Sequence, residues 1–388
     1  MAGRILMVTD GPASVSYATG LLTRLRNAKY SIQVAPTAYA GPSALAFVSE
    51  LAWTTLSGHT CFPIGEINAE ALRKHDLLLL APVSRQVLDI FMRGDALKSI
   101  QEAGRPVVAI LPRILGEEPI PQDDFDAAMP PRSTLIQGNT PLELGAMGRL
   151  AVPSIETAAM HVDAALSRND FAGRRILVTA GPTAEDIDPV RYLTNRSSGK
   201  MGVALAAAAA IRGASVLLVH GPMQVTPPEF PRLRRIGVRS AEEMHRAVME
   251  NWSGLDIAIL AAAVADLRPD HYAEQKMKKI DGQSMVLHLR RTPDILAELG
   301  SSPEHPFLVG FAAESNDVEA NAIIKMRRKH CDMICANDIM KPGCGFSTDT
   351  NQITIYSPGY EPHTLKLKEK SALADDILAV IAERFPSK

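Results

Sequence analysis

The sequence has no apolar run long enough to cross a bilayer, which needs about 20 consecutive residues, so no membrane partner is expected. It has no surplus of either charge. Its 41 basic and 43 acidic residues leave a formal net charge of −2. Without a basic field there is no electrostatic case for nucleic acid or an anionic membrane surface as partner. Cysteine is scarce, at four residues: Cys61, Cys331, Cys335 and Cys344. Cys331 and Cys335 flank a strand-like run and lack the spacing of a closed zinc site, so reduced thiols of a cytoplasmic protein are expected. Met1–Asp10 shows no signal-peptide pattern, and no low-complexity tract or short repeat occurs.

What is present is an alternation of short aliphatic runs with helix-like segments, made twice over 388 residues. In the first half Ile5–Val8 and Ser31–Ala35 read as strands. Asp76–Ala81 (DLLLLA) and Pro106–Leu111 (PVVAIL) are continuous apolar runs, the kind a parallel sheet buries on both faces. Gly116–Gln137, rich in Pro and acidic residues, reads as an irregular excursion, and Thr157–Ser167 as a closing helix. A second start follows at Arg174. Strands are expected at Arg175–Thr179, Ser215–His220, Asp256–Ala261, Phe307–Phe311, Met333–Ala336 and Gln352–Tyr356. Helices are expected from Gly199 to Arg212 and over Ser371–Arg384. The fold class is therefore α/β, with two parallel-sheet Rossmann-like domains covering residues 1–169 and 170–388.

Three constellations in the second half bear on chemistry. In the first, Gly181-Pro-Thr183 precedes Asp188-Pro-Val-Arg191-Tyr-Leu-Thr-Asn195, and Ser197-Ser198-Gly199-Lys-Met-Gly202 opens a helix. A strand, a loop and a helix N-terminus can bind an anion through free N–H groups, and can equally be a capped crossover that binds nothing. It is neither a Walker loop nor the dinucleotide fingerprint, since Thr194 stands where the first Gly is required and Met201 follows the Lys. In the second, Ala261-Ala-Ala-Val-Ala-Asp266 ends a strand in small residues and a carboxylate on the usual ligand side of an open sheet. Lys276-Met-Lys-Lys279 follows, which is either charge to offset a polyphosphate or a solvated lysine cluster. The third comprises Pro293-Asp294-Ile295-Leu296, Phe311-Ala-Ala-Glu314, and Lys325 with Lys329 on one helical face.

Taken together and in order, these segments resemble the phosphopantothenate–cysteine ligase family over roughly Arg174–Phe385. ICAND at 334–338 and Gly345-Phe-Ser-Thr-Asp349-Thr-Asn351 add to the match. The resemblance implies a two-step reaction of coenzyme A biosynthesis. A nucleoside triphosphate, CTP in the bacterial enzymes, activates the carboxylate of 4'-phosphopantothenate as an acyl-nucleotide. The amine of cysteine then displaces the nucleotide. By position, Lys276 would stabilise charge at the reacting phosphate, Asn195 would orient the acyl-nucleotide, and Arg191 would support that loop. Asp266, Lys276, Pro293, Asp294, Ile295, Leu296, Phe311, Lys325 and Lys329 would hold the nucleotide. Gly181, Thr183, Ser197, Ser198 and Gly199 would form the substrate loop. Mg2+ is implied without named ligands, as is a homodimer through the ligase domain, possibly within a higher oligomer, with the lysine segment folding over substrate. Ala184 and Asp186 depart from the family, which has Arg and Pro there.

In bacteria this ligase is commonly fused to a flavin-dependent phosphopantothenoylcysteine decarboxylase, and the first half resembles that flavodoxin-like domain in outline. Val48–Gly58 and Asp76–Pro82 carry the likeness. The family's catalytic His is replaced by Asn68, its flavin-contacting A-T-A-N by Val83-Ser-Arg-Gln86, its P-x-M-N segment by Leu111-Pro-Arg-Ile114, and its reducing Cys by Leu142. His75, just before the strand, reads as a surface residue. The Thr9–Tyr17 loop is longer than the family's. An Asn and a Leu cannot replace a proton donor and a redox thiol, so no decarboxylase activity and no FMN are expected. Two other readings stay open: a bifunctional enzyme using shifted residues, and a non-catalytic regulatory or scaffold subunit.

Overall fold

The computed structural model describes residues 3–10, 12–37, 48–114, 118–138, 140–143, 149–278, 286–345 and 348–386. Contacts divide the chain into two units, Met1–Arg168 and Asn169–Lys388.

The first unit is a five-stranded parallel sheet of β1 (Arg4–Asp10), β2 (Ser31–Thr37), β3 (Leu77–Leu80), β4 (Val107–Leu111) and β5 (Thr134–Gln137), ordered β2-β1-β3-β4-β5. This is the flavodoxin-like order, with its switch point between β1 and β3. Successive side chains point to opposite faces. Ile5, Met7, Leu77 and Leu79 pack with Leu21, Trp53 and Val162 on one side. Leu6, Val8, Leu78 and Leu80 pack with Val87, Phe91 and Phe125 on the other. Both faces are covered, which is why these strands read as unbroken apolar runs. Gly116–Gln137 departs from the expected irregular excursion: it holds a helix at Gln122–Ala128 and the fifth strand. The strand's four residues, TLIQ, are too short a signal to stand out from the polar stretch around them.

The second unit is an eight-stranded sheet: β6 (Arg175–Ala180), β7 (Ser215–His220), β8 (Leu233–Gly237), β9 (Ile257–Leu260), β10 (Phe307–Glu314), β11 (Met333–Asp338), β12 (Thr354–Tyr356) and β13 (His363–Thr364). The order is β8-β7-β6-β9-β10-β11-β12-β13, parallel except for the last two strands. The first six follow the Rossmann order, so the chain reverses direction across the sheet between β6 and β9. Leu177, Ala258, Leu308 and Ile334 face the helices Ala241–Met249 and Val318–Arg328 through Met244, Val248 and Met326. The helices Lys200–Ile211 and Lys370–Arg384 pack against each other, and the first also packs on β6.

Arg212 anchors the start of this unit. It is 3% exposed, forms two bonds to the Asp170 carboxylate at 2.8 and 2.6 Å, reaches Asp375 at 3.1 Å, and stacks on Phe171. Arg212→Leu strips that guanidinium from both acids. Urea unfolding of the variant is expected to show a loss of about 3 kcal/mol.

Candidate active site

The switch point between β6 and β9 opens into a cleft of about 1060 Å³. Its back wall is the run 261–266 beyond β9, and that wall is laced to the Gly-Pro-Thr loop. The Ala262 N–H donates to Thr179 Oγ1 at 3.1 Å, the Ala263 N–H to the Gly181 carbonyl at 2.9 Å, and the Ala265 N–H to Thr183 Oγ1 at 3.0 Å. From the other side Thr292 Oγ1 donates to the Ala265 carbonyl at 2.5 Å. Asn195 completes the wall, its amide nitrogen donating to the carbonyls of Ala263 and Val264 at 2.9 and 3.2 Å. An otherwise irregular strand end is thereby fixed with small side chains toward the cleft.

Beside it the helix Lys200–Ile211 begins at Gly199, whose φ of 79° is left-handed and which makes no side-chain cap bond. A Cβ on Gly199 would stand 2.4 Å from Met223 Sδ, so only glycine fits this entry. Gly202 lets the first turn lie on β6: a Cβ there would meet Ala180 Cβ at 2.5 Å and the Thr179 carbonyl at 2.8 Å. Gly202→Ala must push the helix off the strand. A loss of about 2 kcal/mol in thermal or urea unfolding is expected.

Six basic side chains line the cleft, Lys200, Arg291, Lys325, Arg328, Lys329 and Lys370, against three acidic ones, Asp266, Asp294 and Glu314. Lys325 Nζ donates to the Phe311 carbonyl at 2.7 Å, and burial pushes its ammonium below the ordinary range while Glu314, Cys331 and Asp266 oppose that shift. Lys329 pairs with Asp294, which also caps the helix Ile295–Gly300 by accepting from the Ala297 N–H. Lys200 pairs with Asp349. Lys370, 6% exposed, donates to the carbonyls of Gly345 and Thr348 at 3.0 and 2.6 Å, fixing both ends of a loop whose Phe346 and Ser347 lie outside the described residues.

Of the residues expected from sequence, Asn195, Ser197, Ser198, Gly199, Asp266, Pro293, Asp294, Ile295, Leu296, Phe311, Lys325 and Lys329 meet around this cleft. Gly181 and Thr183 stand behind its wall as the bonds above describe. Arg191 and Lys276 belong to a second cluster. Asp188, whose side chain is 0% exposed, accepts from the N–H groups of Val190 and Arg191 at 2.8 Å, from Arg191 Nε at 3.0 Å and Nη2 at 2.5 Å, and from the Met277 N–H at 3.1 Å. Arg191 Nη2 returns a bond to the Met277 carbonyl at 2.9 Å, and the Ala273 N–H donates to the Ile187 carbonyl. The Arg191 guanidinium holds the Asp188 carboxyl far below the usual carboxylate range.

The lysine segment is therefore docked through residue 277, and not the free, self-repelling loop its charge suggests. Main-chain bonds to Asp188 and Arg191 hold it in spite of like-charge repulsion. Lys276 itself is exposed and outside the cleft lining, and Lys279 and Asp281 lie outside the described residues. At the departures from the family pattern, Asp186 is bound by Arg239 at 2.8 and 2.6 Å, and the Ala184 N–H donates to the Arg239 carbonyl. Sequence reasoning gave no role to Lys200, although it lies inside the SSGKMG motif. It gave no role to Asn337, although ICAND was part of the match, and it missed Lys370, which comes from a distant segment with no local signature.

In the first unit, Asn68 caps the helix Ala69–Arg73, its side chain accepting from the Ala71 N–H at 3.0 Å. His75 is not at the surface. It is 8% exposed, bonded through Nδ1 to the Ala71 carbonyl and edge-on to Phe62, and burial keeps its imidazole below the usual range. Leu142 and Gly148 fall where no side chain is described. At the β1/β3 switch point, Asp10 is 2% exposed. Its Oδ2 accepts from Ser84 Oγ at 2.7 Å, while Oδ1 has no partner. A buried carboxylate at the end of β1 does not fit a flavin phosphate, because two anions would share one desolvated site.

Residues 171–385 match the family model of the DNA/pantothenate metabolism flavoprotein C-terminal domain. Among curated proteins, the coenzyme A biosynthesis bifunctional protein CoaBC of Vibrio cholerae is 37% identical, covering 99% of each chain. That of Bacillus subtilis is 35% identical over 97% of this chain and 96% of the relative. A crystal structure of a CoaBC C-terminal domain shares 41% identity over 55% of this chain and 97% of its own, with a TM-score of 0.47. The chain belongs to the CoaBC family of bifunctional coenzyme A biosynthesis proteins.

Proposed function

We propose that the second unit, residues 170–388, joins cysteine to 4'-phosphopantothenate with CTP as co-substrate. The observation that carries this is the switch-point cleft itself, lined by six basic side chains together with a strand end to which Asn195 is bonded. In the first step a carboxylate oxygen of phosphopantothenate attacks the α-phosphate, and the bond to the β-phosphate breaks to release pyrophosphate. In the second the cysteine amine attacks the acyl carbon, CMP leaves with the C–O bond pair, and the amine proton is lost. A carboxylate is a poor electrophile until its oxygen becomes part of a leaving group, so most of the protein's task is charge stabilisation and positioning.

Asp266, Pro293–Leu296, Phe311, Lys325 and Lys329 hold the nucleotide in this reading. The Ser197–Gly199 turn faces the substrate anion. Asn195 orients the acyl-nucleotide, and Lys276, carried on the segment clamped by Asp188 and Arg191, closes on the reacting phosphate. A homodimer through this unit would let that segment cover a substrate. Among the described residues no group of three or more acidic, His or Cys side chains forms a metal cage. If Mg2+ binds with the nucleotide, Asp266 of the cleft lining is the carboxylate that would hold it, and the ion would neutralise polyphosphate charge.

The first unit, residues 1–169, is read as a flavodoxin-like scaffold without decarboxylase activity or FMN. Asn68 spent on a helix cap, His75 buried as a packing residue and Asp10 at the switch point support this. Pyrophosphate release from CTP and from ATP, each with phosphopantothenate, tests the ligase reading; CTP is expected to be the better substrate, and release with neither would end it. Flavin absorbance in the purified protein would favour a bifunctional enzyme instead.

A further inference from the structure

Asn195 and the Asp188–Arg191 turn are carried by one hairpin, and that hairpin is mounted on a segment outside the cleft. Its strands are Ala184–Asp186 and Tyr192–Thr194. Asp186 stands opposite Tyr192 at the foot of the turn, and Ala184 opposite Thr194 at the open end. Three consecutive residues of the first strand are bound to residues 239–241, which lead into the helix Ala241–Met249. The Ala184 N–H donates to the Arg239 carbonyl at 2.8 Å. Glu185, which is buried, accepts from the Ala241 N–H at 2.8 Å. Asp186 accepts from both Nε and Nη2 of Arg239, at 2.8 and 2.6 Å.

Arg239 also reaches the second strand. Its guanidinium lies over the Tyr192 ring, 5.4 Å from the centroid. One side chain thus grips both strands where the turn begins. The planar fork of arginine allows this, because its edge bonds a carboxylate while its face rests on a ring. The main chain of Arg239 is fixed in turn. Its N–H donates to Glu243 at 2.7 Å, and the Ser240 hydroxyl caps the same helix by accepting from the Glu243 N–H. Ala184 and Asp186 are the two departures from the family pattern, and both are bound to Arg239, so they form one structural unit. Among the described residues of the cleft lining, none is Ala184, Glu185, Asp186, Tyr192 or Arg239. The Arg239 and Asp186 side chains are 49% and 37% exposed. A pair that open to water adds little to stability, so its effect falls on where the hairpin stands more than on whether the unit folds.

We infer that Arg239 is a positioning residue for the ligation, holding the hairpin at the foot of its turn and thereby setting the place of Asn195 at one end and of the Asp188–Arg191 clamp at the other. The inference rests on the ligase reading above and deepens it. Without the guanidinium the hairpin keeps its bonds at Ala184 and Glu185, but its turn end is released. A misplacement of about 1 Å imposed from outside a site can lower a rate about 100-fold. The basic side chains of the cleft stand on other elements and keep their hold on the nucleotide.

Steady-state assays of phosphopantothenoylcysteine formation by the full chain, paired with calorimetric titration of CTP, test this. Arg239→Ala is expected to lower kcat about 10- to 100-fold, leave the Kd for CTP within about twofold, and move the melting temperature only slightly. Arg239→Lys keeps the charge but not the fork, and its kcat should fall between Ala and wild type. It carries the test if the Ala variant does not fold. Asp186→Ala should also slow turnover, and the double variant should be no slower than the worse single one, since both remove one contact. Turnover within about twofold of wild type in a folded Arg239→Ala protein would overturn the inference. So would CTP binding weakened in proportion to the lost turnover, which marks a general structural role, and so would fully additive effects of the two substitutions. If the wild-type protein forms no phosphopantothenoylcysteine, the ligase reading falls, and this inference with it.

Discussion

Asn195→Asp is expected to separate the two half-reactions. The variant should release pyrophosphate within about threefold of the wild-type rate, yet form amide product about 10² to 10³ times more slowly, so that acyl-nucleotide accumulates. In the native protein the Asn195 amide donates to the carbonyls of Ala263 and Val264, at the edge of the cleft. A carboxylate there offers no donor and sets an anion against two carbonyl oxygens. The acyl group then loses its orientation for amine attack, whereas the phosphates, held elsewhere, still react. Lys276→Gln should do the reverse. If Lys276 meets the reacting phosphate as proposed, it acts on charge that develops during activation, so pyrophosphate release should fall by about 10³. Mass spectrometry of quenched mixtures reads both outcomes. Normal pyrophosphate release by Lys276→Gln would remove that residue from the first step.

Asp188→Ala is expected to lower turnover without touching substrate. It removes the acceptor for two N–H groups of its own turn, for the Arg191 guanidinium and for the Met277 N–H. Arg191 then loses its counter-ion, and the lysine segment loses one of the bonds that dock it. We expect kcat to fall about 100-fold and tryptic cleavage after Lys276 and Lys278 to quicken. Asp188→Asn should lie between wild type and Ala, since an amide oxygen still accepts from the backbone but does not pair with Arg191. The sign of the pH effect follows from the lowered pKa of this carboxylate. The clamp's contribution is present above the unfolded-state pKa and is lost only as pH falls through the native value, so it should not shape activity near neutral pH. Unchanged cleavage in a folded Asp188→Ala protein would show that the clamp does not hold the segment.

The parallel strands were legible because burial on both faces writes them as unbroken apolar runs, as in Leu77–Leu80 and Val107–Leu111. The edge strand Leu233–Gly237 was not. Its LRRIG sequence keeps two arginines exposed, and neither an apolar run nor an alternation marks it. The cleft's first constellation was legible because it lies within a few residues of a strand end, and Lys325 with Lys329 because they share one helical face. Lys370 was not, since it reaches the cleft only when distant segments meet. The docking of the segment that carries Lys276 was not legible for a related reason. Local charge argues for an open loop, and the buried carboxylate that docks it lies 88 residues earlier, at Asp188.

The most direct measurement of the central claim is a product analysis of one reaction. Purified protein, phosphopantothenate, cysteine, CTP and Mg2+ are incubated and resolved by mass spectrometry. The account predicts phosphopantothenoylcysteine, CMP and pyrophosphate, formed together and persisting. Appearance of the decarboxylated product, or absence of any cysteine adduct, would contradict it.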